Sequence, residues 1–521
     1  MLFNSLIFIL GFLPFAVGGY YALAALRLEW LRLPFLILVS LVFYGYWTPQ
    51  YVILLGISAV ANYALGLWIA RSLDTGQNRR RVVLVTLGVM GNLAALGYYK
   101  YANFLVDTLD AVLGTGFAIE RIILPLAISF YTFQQICYIV DIGRGTVRPG
   151  GFIPYVSFAV FFPHLIAGPI VHFRELTPQL IARPRLDRAV QNILIGAIIF
   201  GIGLTKKTVF ADSAALYSTP VFDLAAAGGA VSAGAAWGAG FAYTLQVYFD
   251  FSGYSDMAIG LARMFGVLLP INFHSPLRAG SITGLWRQWH ITLGRIVRTY
   301  VLQPMATPLT RWSAGRGHDR ATGHRYGVLL PTFLAMVVIG VWHGAGWNFV
   351  LFGALHGIYM VINEAWLFRR RQRKAVPLPV WLTGVIDRGG GHVLTLLAFV
   401  VAVVPFRAAS EAATWRMFMA MAGWGGDGAA LAADLWPVGI AGFGLTLGLG
   451  YLIVFIMPNT QQIMQVTLPA LDWAQWAGVD HPPLRLTWRP TWPWAVLGGA
   501  VLCLGMVFIL RGSTEFIYFN F

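Results

Sequence analysis

The sequence predicts an all-α membrane protein, a polytopic helical bundle that forms one domain over residues 1–521. First, 58% of its 521 residues are apolar and only 11% are charged, whereas soluble domains carry about 25% charged residues. Second, apolar windows near the length needed to cross a hydrocarbon layer, about 20 residues, recur along the whole chain. Third, the basic residues fall in short loops between these windows, and no linker is long enough to separate soluble domains.

The apolar windows give the expected order of the helices. The first begins with "MLFNSLIFILGFLPFAVGGYY", which lacks the basic region and the cleavage site of a signal peptide, so we expect it to remain as a span. Two further segments, Ile122–Val140 and Leu285–Leu302, are interrupted by polar residues, so we expect roughly a dozen helices, some of them short or re-entrant. The windows are Ile7–Leu26, Pro34–Trp47, Tyr51–Ala70, Val82–Phe104, Phe152–Val171, Val190–Phe210, Val231–Phe251, Gly327–Val341, Gly391–Val404, Val438–Met457 and Pro493–Leu510.

The charge distribution predicts the orientation in the membrane. The net charge is +15, and loops rich in Lys and Arg stay on the cytoplasmic side. Counting two spans back from Arg71–Arg81 places the N-terminus outside and the acidic loop with Asp107, Asp110 and Glu120 outside as well. Orientation and attraction to anionic lipid explain the charge, and nothing points to nucleic acid. The cytoplasmic loops are Arg71–Arg81, Arg183–Arg188, Arg311–Arg325 and Arg369–Lys374.

Ionisable side chains inside apolar segments are functional candidates, because inserting one costs about 2.5–3.5 kcal/mol. In "VYFDFSGYSDMAIGLARMFG", Asp250 and Tyr254 lie four residues apart and share a helix face, with Asp256 further round. Either the carboxylates pair with basic groups of the bundle, or the segment lines a water-filled cavity. The sequence leaves both interpretations open.

Two histidines lie beside tryptophans. In "GLWRQWHITLGRIVRTY", His290 follows Trp286 by one helical turn, with Arg287 and Trp289 between them. A histidine among aromatic residues at a membrane interface is more often a structural hydrogen-bond partner than a functional group.

In "VIGVWHGAGWNFVLFG", His343 follows Trp342 and precedes Asn348. Gly344 and Gly346 remove side-chain bulk, either for helix packing or to let a substrate approach the imidazole. Packing explains the glycines but not the histidine.

The remaining polar features are weaker. "LPLAISFYTFQQICYIVD" carries Gln134, Gln135 and Asp141, for which hydrogen bonds between helices are the favoured interpretation. Cys137 and Cys503 support neither a disulfide nor a metal cluster, and the other histidines fall in loops or near segment ends. No G-x-S-x-G, H-E-x-x-H or Walker A sequence occurs, so the corresponding hydrolases, metalloproteases and ATPases lose their main support.

A neutral histidine is a suitable general base near pH 7. A hydroxyl that attacks an activated acyl group needs such a base, and positioned proton transfer contributes about 10² to 10⁴ in rate. Through a channel, an acyl donor made inside the cell and an acceptor outside would meet at a buried histidine.

The sequence resembles the membrane-bound O-acyltransferase family, and within it the bacterial polysaccharide branch. The resemblance runs nearly from end to end. The phrases that carry it are "FYGYWTPQYVILLGISAVANYALG", "YYKYANFL", "LPLAISFYTFQQICYIVDIGRG", "FFPHLIAGPIVHFRELTPQL", "YFDFSGYSDMAIGLARMFG", "WRQWHITLGRIVRTYV", "VWHGAGWNFVLFGALHG" and "FIYFNF".

The resemblance implies short re-entrant helices around a central tunnel in a bacterial inner membrane. It implies that His343 is catalytic and that His290 is a second catalytic or tunnel-lining residue. Its further expected site residues, which line the tunnel or bind substrate, are Trp286, Arg287, Trp289, Trp342, Asp250, Tyr254, Asp256 and Asn348.

The reaction expected from the resemblance is acetyl transfer from a cytoplasmic thioester, acetyl-CoA, to an extracytoplasmic hydroxyl. The acceptor is a polysaccharide such as alginate or a periplasmic acetyltransferase partner, and no bound cofactor or metal is expected. Two alternatives remain open. One is D-alanyl transfer to teichoic acid from a carrier-protein thioester, and the other is a transporter or flippase with a proton relay.

Overall fold

The computed structural model describes residues 1–114, 116–117, 119–372, 389–426, 435–512 and 516–517. Two predicted features lie partly outside the described residues: the end of the basic segment Arg369–Lys374 and the last four letters of "FIYFNF". Within the described ranges every regular element is a helix, which confirms the all-α fold class.

The first part of the chain folds into helices of very different length. They are α1 (Leu13–Ala25), α2 (Glu29–Gly45), α3 (Gln50–Asp74), α4 (Asn78–Leu96), α5 (Ala102–Leu113), α6 (Ile128–Gly143), α7 (Phe152–Val160), α8 (Phe162–Leu165), α9 (Phe173–Ile181), α10 (Ala189–Thr205), α11 (Asp212–Ala226) and α12 (Ala233–Met264).

The second part continues the same pattern. Its helices are α13 (Ile282–Gln288), α14 (Ile291–Val297), α15 (Gln303–Gly315), α16 (Arg320–His324), α17 (Leu330–His343), α18 (Trp347–Gln372), α19 (Gly391–Ala402), α20 (Val404–Arg407), α21 (Glu411–Met421), α22 (Gly439–Ile456), α23 (Thr460–Ile463), α24 (Trp473–Trp476) and α25 (Trp492–Ile509).

Short 3₁₀ and π-helical turns join or extend several helices. The 3₁₀ turns are Leu186–Arg188, Pro276–Arg278 and Gln465–Thr467, and the π-helical turns are Ile7–Phe12, Gly97–Tyr101, Lys206–Ala211, Arg298–Leu302 and Arg325–Leu329. A π-helical turn widens the helix locally and redirects its side chains, and such turns are frequent at functional sites.

Eight helical stretches of the described chain are long and apolar enough to cross a membrane. They confirm the prediction of a multi-pass membrane protein. The stretches are Ile7–Ala25, Gln50–Asp74, Asn78–Leu113, Leu186–Ala226, Arg320–His343, Trp347–Gln372, Gly439–Ile456 and Trp492–Ile509.

Other predicted windows differ from the structure in informative ways. The window Phe152–Val171 is not one span but two short helices, α7 and α8, broken at Phe161, whose ψ of 104° leaves the helical region. The segment Leu285–Leu302 divides into α13, α14 and a π-helical turn. The division of Leu285–Leu302 was predicted from its polar residues, whereas the break in Phe152–Val171 was not predicted.

The core of the bundle is α12, whose side chains are buried over nearly its whole length. Its glycines let α10 approach backbone to backbone. A Cβ on Gly260 would lie 2.5 Å from the carbonyl oxygen of Gly196, and one on Gly203 would lie 2.6 Å from that of Gly253. Small residues at such crossings are the common way for membrane helices to pack closely. The axis of the bundle is therefore a polar, glycine-containing helix.

Candidate active site

His343 is the last residue of α17, and its ring is enclosed by aromatic side chains. Gly344 leaves the helix in an extended conformation, with φ −162° and ψ 155°. The imidazole centroid lies 4.8 Å from Trp342, 5.7 Å from Phe352 and 5.2 Å from Phe406. Only 3% of His343 is exposed, so this histidine sits in a pocket from which aromatic rings exclude water.

A close crossing of α17 and α18 brings Phe352 to the imidazole. A Cβ on Gly340 would lie 2.2 Å from the carbonyl oxygen of Phe349, and one on Gly353 would lie 2.6 Å from that of Met336. Neither position tolerates a side chain, because backbone atoms occupy the space. The glycine pattern of the motif thus builds the hairpin that encloses His343.

At Gly344 the structure supports the packing interpretation of the two that the sequence left open. A Cβ at Gly344 would lie 2.1 Å from the ring of Phe349, so a side chain of the protein fills the space beside this glycine. At Gly346 the nearest atom of Phe349 would be 3.6 Å away, and this glycine lines a cavity together with Asn348.

His290 reaches the same aromatic cluster from another part of the chain. It separates α13 from α14 with a left-handed backbone, φ 44° and ψ 53°, and only 1% of it is exposed. Its ring lies 4.7 Å from Phe251 and 6.0 Å from Trp342. Since Trp342 contacts both imidazoles, the structure brings the two predicted histidines together around one indole.

A buried asparagine sets which ring nitrogen of His290 carries the proton in the neutral form. The side-chain oxygen of Asn272 accepts hydrogen bonds from the backbone N–H and the hydroxyl of Thr292, at 3.3 and 2.8 Å. It is 3.0 Å from Nδ1 of His290, so Nδ1 must be the donor. The neutral ring then presents the lone pair of Nε2, the form that a general base requires.

A third histidine, which the sequence analysis passed over, belongs to the cluster. His356 on α18 is fully buried, and its Nδ1 accepts a 3.2 Å hydrogen bond from Nε1–H of Trp286. Phe352 contacts His356 at 4.7 Å and His343 at 5.7 Å. The position of His356 in the middle of an apolar segment was the sequence signal that could have marked it as a candidate.

Two buried N–H groups of this cluster have no acceptor among the described residues, Nε1 of Trp342 and Nε2 of His356. Leaving a buried donor unpaired costs about 1–3 kcal/mol. Both groups are suited to hold a carbonyl oxygen, which is the kind of atom that an acyl-transfer site must stabilise.

The remaining predicted tunnel residues fall into two groups. The ring of Trp289 packs against Phe273 and Phe399, at 5.1 Å each, and Phe399 also contacts His356, so Trp289 lies at the edge of the cluster. Arg287, in contrast, is exposed.

A cavity of about 680 Å³ opens beside the loop that follows His343. Gly346, Trp347 and Asn348 form one wall. Asn348 itself is tied by two hydrogen bonds, to the carbonyl of Ala408 and to the hydroxyl of Thr414, both at 3.0 Å, so it holds the wall in place. The other wall includes Phe104, Asp107, Ser410 and Glu411.

The polar run on α12 forms ion pairs with lysines of the neighbouring π-helical turn. Asp250 lies 3.0 Å from Nζ of Lys207, and Asp256 lies 2.6 Å from Nζ of Lys206. Tyr254 packs against Phe3 at 4.9 Å and Phe516 at 4.5 Å. Of the two interpretations left open, the structure supports pairing of the carboxylates with basic groups.

The polar residues of the segment with Gln134, Gln135 and Asp141 form hydrogen bonds to other segments, which was the favoured interpretation. Asp141 on α6 accepts a 2.7 Å hydrogen bond from the hydroxyl of Tyr300, and Gln135 accepts one from Tyr155. No group of three potential metal ligands was found in the described part of the chain, and Cys137 and Cys503 are not joined to each other.

The fold and this site together define a polytopic membrane protein in which several imidazoles are enclosed inside a helical bundle. Known proteins narrow that class. The profile of the membrane-bound O-acyltransferase family matches residues 144–378.

Relatives match over most of the chain. A probable alginate O-acetylase of Azotobacter vinelandii is 38% identical over 82% of this chain and 79% of its own length. A peptidoglycan O-acetyltransferase of Helicobacter pylori is 36% identical over 71% of this chain and 72% of its own. A teichoic acid D-alanyltransferase of Streptococcus thermophilus is more distant, 26% identical over 47% of this chain and 58% of its own. The chain belongs to the membrane-bound O-acyltransferase family, and it is an O-acyltransferase.

Proposed function

We propose that the protein transfers an acetyl group from cytoplasmic acetyl-CoA to a hydroxyl on the extracytoplasmic side of a bacterial inner membrane. The acceptor is a polysaccharide such as alginate, cellulose or peptidoglycan, or a serine of a periplasmic partner that passes the group on. The observation that supports this most is the enclosure of His343 and His290 around Trp342, beside a cavity that reaches the loop after His343.

In the proposed reaction, His343 removes the proton of the acceptor hydroxyl as its oxygen attacks the thioester carbonyl. The tetrahedral intermediate collapses by breaking the C–S bond, and the imidazolium returns the proton to the departing thiolate. His290, whose tautomer is set by Asn272, either assists this transfer or lines the path of the donor. The buried N–H groups of Trp342 and His356 are candidates to hold the carbonyl oxygen.

The cavity supports access of the acceptor from outside. Asp107 lies in its wall, on α5 and not in a loop as the sequence suggested. The positive-inside rule predicts that this acidic end of the segment faces the extracytoplasmic side. A cytoplasmic donor would then approach His343 from the opposite end of the bundle, so neither substrate needs to cross the membrane completely.

The two alternatives have less support. D-alanyl transfer rests on relatives that match about half of the chain, 47% in the case given above. A proton relay would use Asp250 and Asp256, but both carboxylates are bound to lysines.

The test uses membranes that contain the protein. They are incubated with acetyl-labelled acetyl-CoA, or with a D-alanyl carrier-protein thioester, and with alginate or peptidoglycan fragments as acceptors. We expect label in a fragment only from acetyl-CoA, and only with His343 intact. Label from the D-alanyl donor alone, or an equal product from His343→Ala membranes, would refute the proposal.

A further inference from the structure

The last carbonyl groups of α17 are bonded by side chains from the π-helical turn Gly97–Tyr101. The hydroxyl of Tyr101 donates to the carbonyl oxygen of Val341 at 2.7 Å. Nζ of Lys100 donates to the carbonyl oxygens of Trp342 and, at 3.3 Å, of His343. Three consecutive carbonyls at the end of the helix thus have partners more than 200 residues away along the chain.

A helix end needs such partners, because its last four carbonyls lack intrahelical donors and carry the negative end of the helix dipole. Many helices solve this with a left-handed glycine immediately after the last turn. Gly344 is instead extended, with φ −162°, so α17 does not cap itself. Its cap is supplied by Lys100 and Tyr101.

Lys100 is unusual among the buried lysines of the described chain. It is only 6% exposed, and its third hydrogen bond goes to the hydroxyl of Ser129 at 3.2 Å. Lys206 and Lys207 each have a carboxylate within 3.0 Å, whereas no described carboxylate forms an ion pair with Lys100. A buried cation without a carboxylate is costly, and an apolar side chain of similar length would avoid that cost.

We propose that Lys100 and Tyr101 position the catalytic histidine by capping the final turn of α17. The helix ends at His343, so any fraying of that turn rotates or displaces the imidazole relative to His290 and the cavity. A displacement of about 1 Å at a catalytic group lowers the rate roughly 100-fold. The cap is therefore a positioning device, and the inference rests on the proposed role of His343.

The test compares Lys100→Met with Lys100→Arg in purified, detergent-solubilised protein. Lys100→Met removes the donors and the charge but preserves length and burial, so we expect kcat to fall roughly 100-fold while KM for the donor changes less than about twofold. Lys100→Arg, which keeps both donors and charge, should recover at least about tenfold of that loss. Arg79→Met, an exposed change on α4, serves as the control and should match the wild type.

A second readout does not depend on turnover. Diethyl pyrocarbonate modifies accessible imidazoles, and mass spectrometry reports the rate at each histidine. We expect Lys100→Met to accelerate modification of His343 and to leave that of His290 unchanged. If His343→Ala were active, the proposed function would fail, but this readout would still decide whether Lys100 holds His343.

Folded Lys100→Met protein with wild-type kcat, or with unchanged reactivity of His343, would overturn the proposal. If Lys100→Met does not fold, Tyr101→Phe decides, because it removes one hydroxyl and nothing else. A severalfold lower kcat at unchanged KM would then support the cap, and wild-type kcat would refute it.

Discussion

At the level of single residues, the backbone of His290 shows how the orientation of a side chain in the site is fixed. Its left-handed backbone, with φ 44°, costs a residue other than glycine about 1–3 kcal/mol. The strain is offset by the pairing of two segments: the backbone N–H of Ile291 donates to the carbonyl of Asn272 at 2.9 Å, and that of His274 to Gln288 at 3.0 Å. Strain that is held in this way fixes where the imidazole points.

Asn272→Ala tests this arrangement. It leaves Nδ1–H of His290 without its acceptor and frees the ring to change tautomer. We expect the acetyl-transfer rate to fall about tenfold or more, measured with labelled acetyl-CoA. Asn459→Ala is the matched control, since it removes the amide that contacts Nδ1 of His274 at 3.3 Å, outside the cluster. Equal activities of the two variants would contradict the role of Asn272.

At the level of elements, the site depends on the hairpin of α17 and α18. Gly340 and Gly353 act by close contact with backbone, and Gly344 by close contact with Phe349; these three do not leave open space around His343. Packing against Phe349 and access of a substrate make different predictions for a substitution of Gly344.

Gly344→Ala pushes a methyl group into the ring of Phe349, so we expect a loss of about 1–3 kcal/mol in the free energy of unfolding together with reduced activity. The double variant Gly344→Ala/Phe349→Leu removes the clash and should regain both thermal stability and activity. If the space at Gly344 were used by substrate, the second substitution would not restore the rate. Thermal unfolding and initial rates of the three proteins distinguish these cases.

On the scale of the whole molecule, hydrogen bonds to two carboxylates connect the central helix to the last part of the chain. Asp256 on α12 binds Lys206 and accepts hydrogen bonds from Thr460 at 2.6 Å and Gln461 at 2.7 Å. Asp250 accepts a 3.0 Å hydrogen bond from the backbone N–H of Ile517. The carboxylates that the sequence marked as functional thus hold distant segments together.

Asp256→Leu should therefore act on folding. Removing one partner of a buried ion pair costs about 3–5 kcal/mol, so we expect a lower yield of folded protein, measured by size-exclusion chromatography in detergent. The folded fraction should keep its acetyl-transfer rate. Normal folding with lost activity would instead favour a direct role of Asp256 in proton movement.

Much of this organisation was predictable because a hydrocarbon layer demands long apolar helices and penalises ionisable groups. Those two rules gave the helical bundle and singled out His290 and His343. The same penalty also marked Asp250 and Asp256 as functional candidates. Whether such a group forms a stabilising ion pair or takes part in catalysis depends on its neighbours in space, which the sequence does not give. Lys100 lies 242 residues from Trp342 along the chain, and no local pattern indicates such a contact.

The most direct test of the central claim is transfer across a sealed membrane. The protein is reconstituted in vesicles, with acetyl-labelled acetyl-CoA on its cytoplasmic side and alginate or peptidoglycan fragments on the other. We predict labelled fragments from wild-type vesicles, no acetyl-CoA in the acceptor compartment, and no product from His343→Ala. Product formation by His343→Ala, or transfer only when both substrates share one compartment, would contradict transmembrane acetylation at His343.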